Sequence, residues 1–492
     1  MRDRSHIVIV GGGFSGVSLA VQLLRRANSC LKITLIEAGD RLGRGVAFNT
    51  SEAAHVLNTR AGHMSLIHDE PQHFVHWNER TGRAVGSADF VSRMAFGHYV
   101  EDTFIETIGL ATNREAEIAT HLQTQVVDIA CHLDRFAVAL DDGRTIDCDK
   151  VVVATGLPLP SDPLKAWLSP ETERYLRNPW RNDSFNGISA DDRVLLLGTG
   201  LTMVDSVLTL QSRRHRAPIH AFSRRGLLPR AHYDPVQTLP GDLEAGLHAA
   251  MGVGDLRHVL RTVRSTIRAA AERGVSWHAV IDAMRPVTPA LWANMSAADR
   301  MRFMRWLRPY WDVHRHRLAP GPASTIGAML ADSRLKASAG RVTHARQSGD
   351  RIIVEQRVRG RPQVFREAFD WIINCTGPDY AGDQARILEQ RLIARGLLKP
   401  DTLGLGYITG PMGEACGADG LIPGLYLLGA ACRPRSWEHT AVPELRQQVG
   451  VLAAELSRRQ GKLQHSSRST VLPFLRVRKR RVVAGGYSVR RN

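Results

Sequence analysis

Residues 6–16 read His-Ile-Val-Ile-Val-Gly-Gly-Gly-Phe-Ser-Gly, and the pattern they begin leaves few folds open. An apolar strand runs into Gly11-x-Gly13-x-x-Gly16, and a helical pattern follows from Val17 to Arg26. In such a turn the first glycine permits the tight bend. The second lets the backbone approach a pyrophosphate, and the third lets helix and strand pack closely. The helix N-terminus then offers free N–H groups and the positive end of its dipole. A second strand, Lys32 to Ile36, ends at Glu37, 24 residues after Gly13. A carboxylate there accepts hydrogen bonds from both ribose hydroxyls and repels a 2′-phosphate, which predicts FAD.

The unit recurs. Arg193 to Leu197 is an apolar strand, followed by Gly198-Thr199-Gly200-Leu201-Thr202-Met203 and a helix to about Leu210. The next strand, Ile219 to Phe222, ends in Ser223-Arg224-Arg225, with Arg224 again 24 residues after the second glycine. Replacing the acid by Ser-Arg-Arg suits a 2′-phosphate by charge and by bidentate geometry, which predicts NADPH. Met203 stands where the third glycine would be, so a second unit of this shape that holds no cofactor is the competing reading.

A further repeat supports the pairing. Residues 135–156 read as strand, turn at Asp141-Asp142-Gly143, strand, then a buried strand closing at Ala154-Thr155-Gly156. Residues 351–377 read the same way and close at Asn374-Cys375-Thr376-Gly377. Gly424 to Ala430, including Gly429, is a last core strand, and Pro443 opens a helix to about Arg459. A helix N-terminus aimed at a flavin would stabilise the reduced, anionic ring. The expected fold is therefore α/β, with two Rossmann-like dinucleotide-binding domains and a helical insert. FAD-binding segments are expected over 1–165 and 340–460. An NADPH-binding domain is expected over 166–239, a helical insert over 240–339 and a basic tail over 461–492. Ligands should lie beyond the carboxyl ends of the strands.

Composition narrows the class. Of 492 residues, 43% are hydrophobic and 23% charged, as in an ordinary globular protein, which excludes a disordered chain, a collagen or a coiled coil. The most apolar stretch, Val194 to Leu210, is broken by Gly198, Gly200 and Asp205, so no membrane span is expected. Six scattered cysteines form no CxxC pair or Cys/His cluster, so neither structural zinc nor a dithiol pair is signalled, and a cytoplasmic setting is expected. The net charge is +17, but eleven bases and no acid follow Glu455, leaving +6 for the rest. Such a tail suits nucleic acid or anionic lipid, though a solvated terminus is the plainer reading.

Residues 240–318 have helical texture, with helices expected near Leu243–Met251, Asp255–Arg273, His278–Met284 and Ala297–Leu307. Arg302, Arg305 and Arg308 fall at i, i+3 and i+6, roughly one face, interleaved with Trp306, Tyr310 and Trp311. One reading is a lid whose arginines attract an anionic substrate or the NADPH phosphates. The other is a solvated basic face above an apolar one. His314 and His316 follow and read as structural rather than catalytic.

These motifs, with Arg41-Leu-Gly43-Arg-Gly45-Val-Ala47-Phe48, His55-Val-Leu-Asn58, Ser223-Arg-Arg-Gly-Leu-Leu-Pro-Arg230 and Trp311-Asp-Val-His-Arg-His-Arg-Leu-Ala-Pro320, resemble a bacterial group of FAD/NAD(P)-binding flavoproteins. That group includes FAD-dependent urate hydroxylase and the aspartate N-monooxygenase of nitroso-group biosynthesis, and the resemblance covers roughly residues 5–460. It implies that Gly11, Gly13, Phe14, Ser15, Gly16 and Glu37 hold the ADP half of FAD. Val126, or nearly as well Val127, would pair with adenine. Asn58 and Met64 would lie near the flavin. Thr202, Ser223, Arg224 and Arg225 would hold NADPH, and Thr155, Gly156, Gly198, Gly200, Gly429 and Pro443 complete the expected cofactor-binding set. Residues 157–180 contain no His, so the FxGxxxHxxxW-type fingerprint of Baeyer–Villiger and flavin-containing monooxygenases is missing.

The function so implied is an NADPH-dependent FAD monooxygenase acting, with molecular oxygen, on a small anionic nitrogenous substrate such as urate or an amino acid. The flavin would carry the hard chemistry, in keeping with the lack of a visible triad, nucleophile or metal cluster, and no catalytic residue is singled out. A flavin dehydrogenase or reductase without oxygen insertion is the main alternative. A flavin-bound scaffold whose tail binds nucleic acid is a weaker third.

Overall fold

The computed structural model describes residues 5–26, 31–111, 116–132, 135–181, 183–380, 386–438 and 440–457. The expected basic tail, with Cys30, lies outside the described residues. Strand β1 (Ser5–Val10), helix α1 (Phe14–Arg26) and strand β2 (Leu31–Ile36) form the first βαβ unit. Helices α2 (Gly45–Phe48), α3 (His73–Arg80) and α4 (Arg93–Ala111) lead to β3 (Glu117–His121). A meander of β4 (Val126–His132), β5 (Arg135–Leu140) and β6 (Thr145–Cys148) precedes β7 (Lys150–Val153). The second unit holds β8 (Tyr175–Leu176), β9 (Val194–Leu197), α5 (Leu201–Ser212) and β10 (Ile219–Ser223).

The helical insert comprises α6 (Gly241–Val253), α7 (Leu256–Glu272), α8 (Trp277–Met284), α9 (Thr288–Asn294), α10 (Ala297–Arg302), α11 (Arg308–Arg315) and α12 (Pro320–Ala331). It is followed by β11 (Leu335–Ser348), β12 (Arg351–Val358), β13 (Val364–Phe369) and β14 (Trp371–Asn374). The chain closes with α13 (Ile387–Ala394), β15 (Glu414–Gly417), β16 (Gly420–Leu427) and α14 (Val442–Ser457).

The strands form two sheets with a shared plan. In the first, of order β15-β16-β7-β1-β2-β3, strand β1 lies parallel to both β2 and β7. In the second, of order β13-β12-β11-β10-β9-β14-β8, β9 lies parallel to both β10 and β14. Each central strand is a run of apolar residues because both of its faces are covered. Side chains alternate across a strand. Ile7 and Ile9 therefore join the core under α1, α4 and α14, while Val8 and Val10 join the core under the meander. Val194 and Leu196 face one core of the second sheet, Leu195 and Leu197 the other.

The two units differ in how they reach their meander. In the first, β3 ends and β4 starts a separate sheet of order β4-β5-β6. In the second, the single long strand β11 pairs in parallel with β10 and antiparallel with β12. This corrects one expected boundary. The segment starting at 340 does not return at once to the first sheet, because 335–374 supplies β11 to β14 of the second. The return falls after Asn374.

The insert packs its own apolar core, from Leu239 and Leu247 to Trp292 and Met295, onto Leu405 and Trp437 of the first unit. Two of its helix starts are capped by their side chains. Asp255 accepts from the His258 N–H, and Ser296 from the Asp299 N–H. The fourth expected helix is not one straight piece. Residues Phe303–Leu307 wind as a π-helical turn between α10 and α11. That extra residue per turn takes the three arginines off one face. Arg302 pairs with Asp299, Arg305 is exposed over Trp306, and Arg308 is half-buried beside Asp312 and Trp437. No helix among the described residues is long and apolar enough to cross a membrane.

Candidate functional site

The first glycine loop has the backbone shape its sequence demands. Gly11 sits at φ 104°, where a Cβ would come within 2.4 Å of the Ala154 carbonyl oxygen. A Cβ on Gly16 would lie 1.9 Å from the Gly11 carbonyl oxygen, so only glycine lets α1 start against β1. Gly13 faces Gly45, each hypothetical Cβ lying 3.4–3.5 Å from the other's Cα. Two bare backbones thus flank the approach to the α1 N-terminus, a cradle that side chains would fill. The residues therefore fit a pyrophosphate.

Glu37 accepts the Gly12 N–H at 2.6 Å and the Gly39 N–H at 2.8 Å. A carboxylate has about four acceptor positions, so capacity remains for ribose hydroxyls. The loop before β4 is tied to the same place, with Thr124 N–H on the Glu37 carbonyl at 3.1 Å. Val126 opens β4 opposite Leu140. Val127 falls in the register shift that follows, and its carbonyl accepts Arg391 Nη1 at 3.3 Å. The Phe14 side chain is turned inward, in an aromatic cluster with Phe48 and Phe96 at 6.1 and 5.9 Å. Only its backbone remains for a phosphate.

The last strand returns to this loop. A Cβ on Gly429 would meet Ser15 Oγ at 3.1 Å, and the Gly429 N–H donates to Gln448 Oε1 of α14 at 3.1 Å. Pro443 is the second residue of α14. Thr155 donates to Glu389 at 3.1 Å, and Gly156, at φ 77°, edges a shallow cleft lined also by Tyr380, Arg386, Tyr407 and Ala431. Met64 is buried in the main core, its N–H donating to the Ala61 carbonyl. The Asn58 carbonyl accepts His232 Nε2 at 2.9 Å, and burial pushes that imidazole down to about 4.

The second loop repeats the device. Gly198 lies at φ 119°, and a Cβ there would come within 2.2 Å of the Cys375 carbonyl oxygen. Gly200 has open space where a Cβ would be. Met203 is fully buried beside Val194, Leu196 and Val207, so the missing third glycine is filled as core. Thr202 is half-buried at the start of α5. The trio after β10 is not equivalent. The Ser223 hydroxyl is 2.9 Å from Thr199 Oγ1 and accepts the Gly226 N–H at 2.9 Å. Arg225 donates to the Arg305 carbonyl at 3.2 Å and lies 5.3 Å from the Tyr310 ring. Arg224 is exposed.

Sequence reasoning missed a charge cluster where the insert meets α14. Arg285 grips Glu444 with two hydrogen bonds, at 2.5 and 2.8 Å. Arg315 lies 3.2 Å from Glu438 and 3.8 Å from Glu444, and Trp311 Nε1 donates to Glu438 at 3.1 Å. Burial would raise the Glu444 carboxyl, but the Arg285 guanidinium outweighs it and holds it below the usual range. Burial lowers Arg315 against the opposing pull of Glu438. Arg433 stacks 3.9 Å over Trp437 and 5.1 Å from Tyr380. Glu444 beside a helix start was legible in principle; its partners from the insert were not.

His314 Nδ1 donates to the Tyr310 carbonyl at 2.7 Å, and burial pushes His316 down to about 4. No disulfide joins two of the described cysteines, and among the described residues no group of three His, Cys, Asp or Glu is placed to hold a metal ion.

Residues 8–158 match a family described as FAD-NAD(P)-binding. The chain's fold is that of solved flavoprotein monooxygenases. It is similar to the ornithine N-hydroxylase of Kutzneria sp. 744, solved with reduced FAD, NADP+ and L-ornithine, at 18% identity and a TM-score of 0.64, over 93% of this chain and 100% of that one. The ornithine hydroxylase of Pseudomonas aeruginosa gives 16% and 0.62 over 92% and 98%. L-Lysine 6-monooxygenase of Pseudomonas syringae gives 16% and 0.59 over 92% and 99%. Comparison with curated proteins returns no match.

Proposed function

We propose that this protein is an FAD-dependent, NADPH-using monooxygenase that hydroxylates nitrogen on a small substrate carrying negative charge. FAD is assigned to the unit made of residues 5–165 and 375–457, and NADPH to the unit carrying β8 to β14. The observation that carries the reading is the pair of glycine cradles on parallel sheets of one chain, ending in opposite charge: Glu37 in the first, Arg224 and Arg225 in the second. An acid rejects a phosphorylated ribose and arginines welcome it. When bound, the flavin accepts hydride and activates oxygen.

The protein's own residues bind, orient and exclude water. Gly11, Gly13, Ser15 and Gly16 would seat the FAD pyrophosphate on the α1 N-terminus. Gln448 fixes Gly429 against that loop. Arg285 and Arg315 neutralise the acids at the α14 N-terminus, so the positive helix end is not cancelled where a reduced ring would lie. The insert closes that end with Trp292, packed on Trp437 of the first unit, and with Trp311, bonded to Glu438, which favours a dry cavity. Fold neighbours named for ornithine and lysine oxidation favour an amino-acid nitrogen over urate.

The test is the visible spectrum of the purified protein, followed by aerobic turnover with ¹⁸O₂. NADPH, NADH and a panel of aspartate, ornithine, lysine and urate are compared. Bound FAD, preference for NADPH and one labelled oxygen in a hydroxylated product are expected. Reduction by NADPH that yields only hydrogen peroxide with every substrate would instead support the reductase reading. A colourless protein that takes up no flavin would end both.

A further inference from the structure

The helical insert meets the start of the loop after β10 at Arg225, and a proline decides how. Pro309 has no N–H, so the Arg305 carbonyl, four residues earlier, loses its usual α-helical donor. The π-helical turn just before it is closed by the Arg308 N–H on the Phe303 carbonyl. Such turns are rare and concentrate at functional sites. The Arg305 carbonyl accepts from Arg225 instead, at 3.2 Å, while the same guanidinium lies 5.3 Å from the Tyr310 ring. Arg225 is therefore committed to docking the insert onto the loop after β10. Its neighbour Arg224 is exposed.

The insert brings matching groups to that corner. The exposed Arg305 guanidinium rests 4.9 Å over the Trp306 ring, which restricts a long side chain that would otherwise sample many rotamers. Tyr310 is 44% exposed and Trp306 55%. Tyr310 carries Arg225 over its ring yet stays partly exposed, and Arg224 next to Arg225 and Arg305 on the docked turn are both exposed; such a ring offers stacking for a base, and such arginines bidentate donors for a phosphate.

We propose that this turn of the insert forms the outer wall of the subsite for the adenosine 2′-phosphate end of NADPH. Tyr310 stacks the adenine, Arg224 and Arg305 take the phosphate, and Arg225 positions the turn. The insert is then part of the nucleotide site as well as a cover at the α14 end. The inference rests on the NADPH reading above.

Calorimetric titration of the FAD-loaded protein with 2′,5′-ADP and with 5′-AMP tests it without turnover. The wild type should bind 2′,5′-ADP more tightly. Tyr310→Ala should weaken both nucleotides about tenfold, in line with loss of one stacking contact, and Tyr310→Phe should restore them. Arg305→Gln should weaken 2′,5′-ADP and leave 5′-AMP unchanged. Pro309→Ala returns an N–H to the Arg305 carbonyl, frees Arg225 and should loosen both. Bound-flavin absorbance checks that each variant is folded. A wild type that binds the two nucleotides equally defeats the NADPH assignment. A discriminating wild type whose Tyr310→Ala and Arg305→Gln variants bind as it does defeats this inference alone.

Discussion

Arg93→Met removes one charge from a pair that fastens the first unit to α5 of the second. Arg93 Nη1 lies 2.9 Å from Asp205 Oδ2, with side chains 13% and 7% exposed. His55 adds a hydrogen bond to Thr209 on the same helix at 2.9 Å. At an effective dielectric constant near 20, the Coulomb attraction at this distance is roughly 6 kcal/mol before desolvation is subtracted. Met keeps the length of the stem but leaves Asp205 as a buried charge whose Oδ2 has no hydrogen-bond donor. Breaking a buried pair in this way costs about 3–5 kcal/mol, whereas replacing both partners with apolar groups is close to neutral. Arg93→Met should therefore lose about 3–4 kcal/mol, and Arg93→Met with Asp205→Leu should return to within about 1 kcal/mol of wild type. Urea unfolding at pH 7, followed by far-ultraviolet circular dichroism, reads both values. If the double variant is as unstable as the single one, the uncompensated carboxylate is not the cause and the reasoning fails.

Because burial depresses His232 from its ordinary 6.5 to about 4, the unfolded chain binds the proton more tightly than the folded one. Stability is then complete above pH 6.5 and falls as pH drops towards 4, by about 2 kcal/mol at pH 5. Urea midpoints of wild type and His232→Gln at pH 7.5 and 5 check this, and an unchanged pH slope in the variant would contradict it. Gly16→Val places side-chain atoms where even a Cβ lies 1.9 Å from the Gly11 carbonyl oxygen. The variant should purify without FAD, or fail to fold, as judged by absorbance and circular dichroism; a normally yellow, folded variant would refute the packing account. Burial pushes the Cys375 and Cys432 thiols up to about 12, while Cys131 is exposed. Thiol labelling of the native protein at pH 8, read by peptide mass spectrometry, should modify Cys131 and spare the other two.

Local chemistry carried much of the fold into the sequence. The run Ile7 to Val10, three glycines, a helical pattern and Glu37 need only neighbours within a few turns to state a strand, a tight bend and a helix start. The same holds for Gly198, Gly200 and the helix after them. The sign change from Glu37 to Ser223-Arg224-Arg225 was legible for the same reason. The division of labour inside that trio was not. Ser223 turned out to brace its own loop, and Arg225 to hold a carbonyl that Pro309 left without its helical donor.

What the sequence by itself determined is the set of βαβ units and their charge, because strand, bend and helix propensities are short-range. Only the tertiary structure decided which sheet receives residues 335–374, and which charges share a buried site. Arg285 and Glu444 are 159 positions apart, and nothing local in either stretch says that they meet. Such a pair is stable only where both residues leave water together, and that condition belongs to the packed chain as a whole.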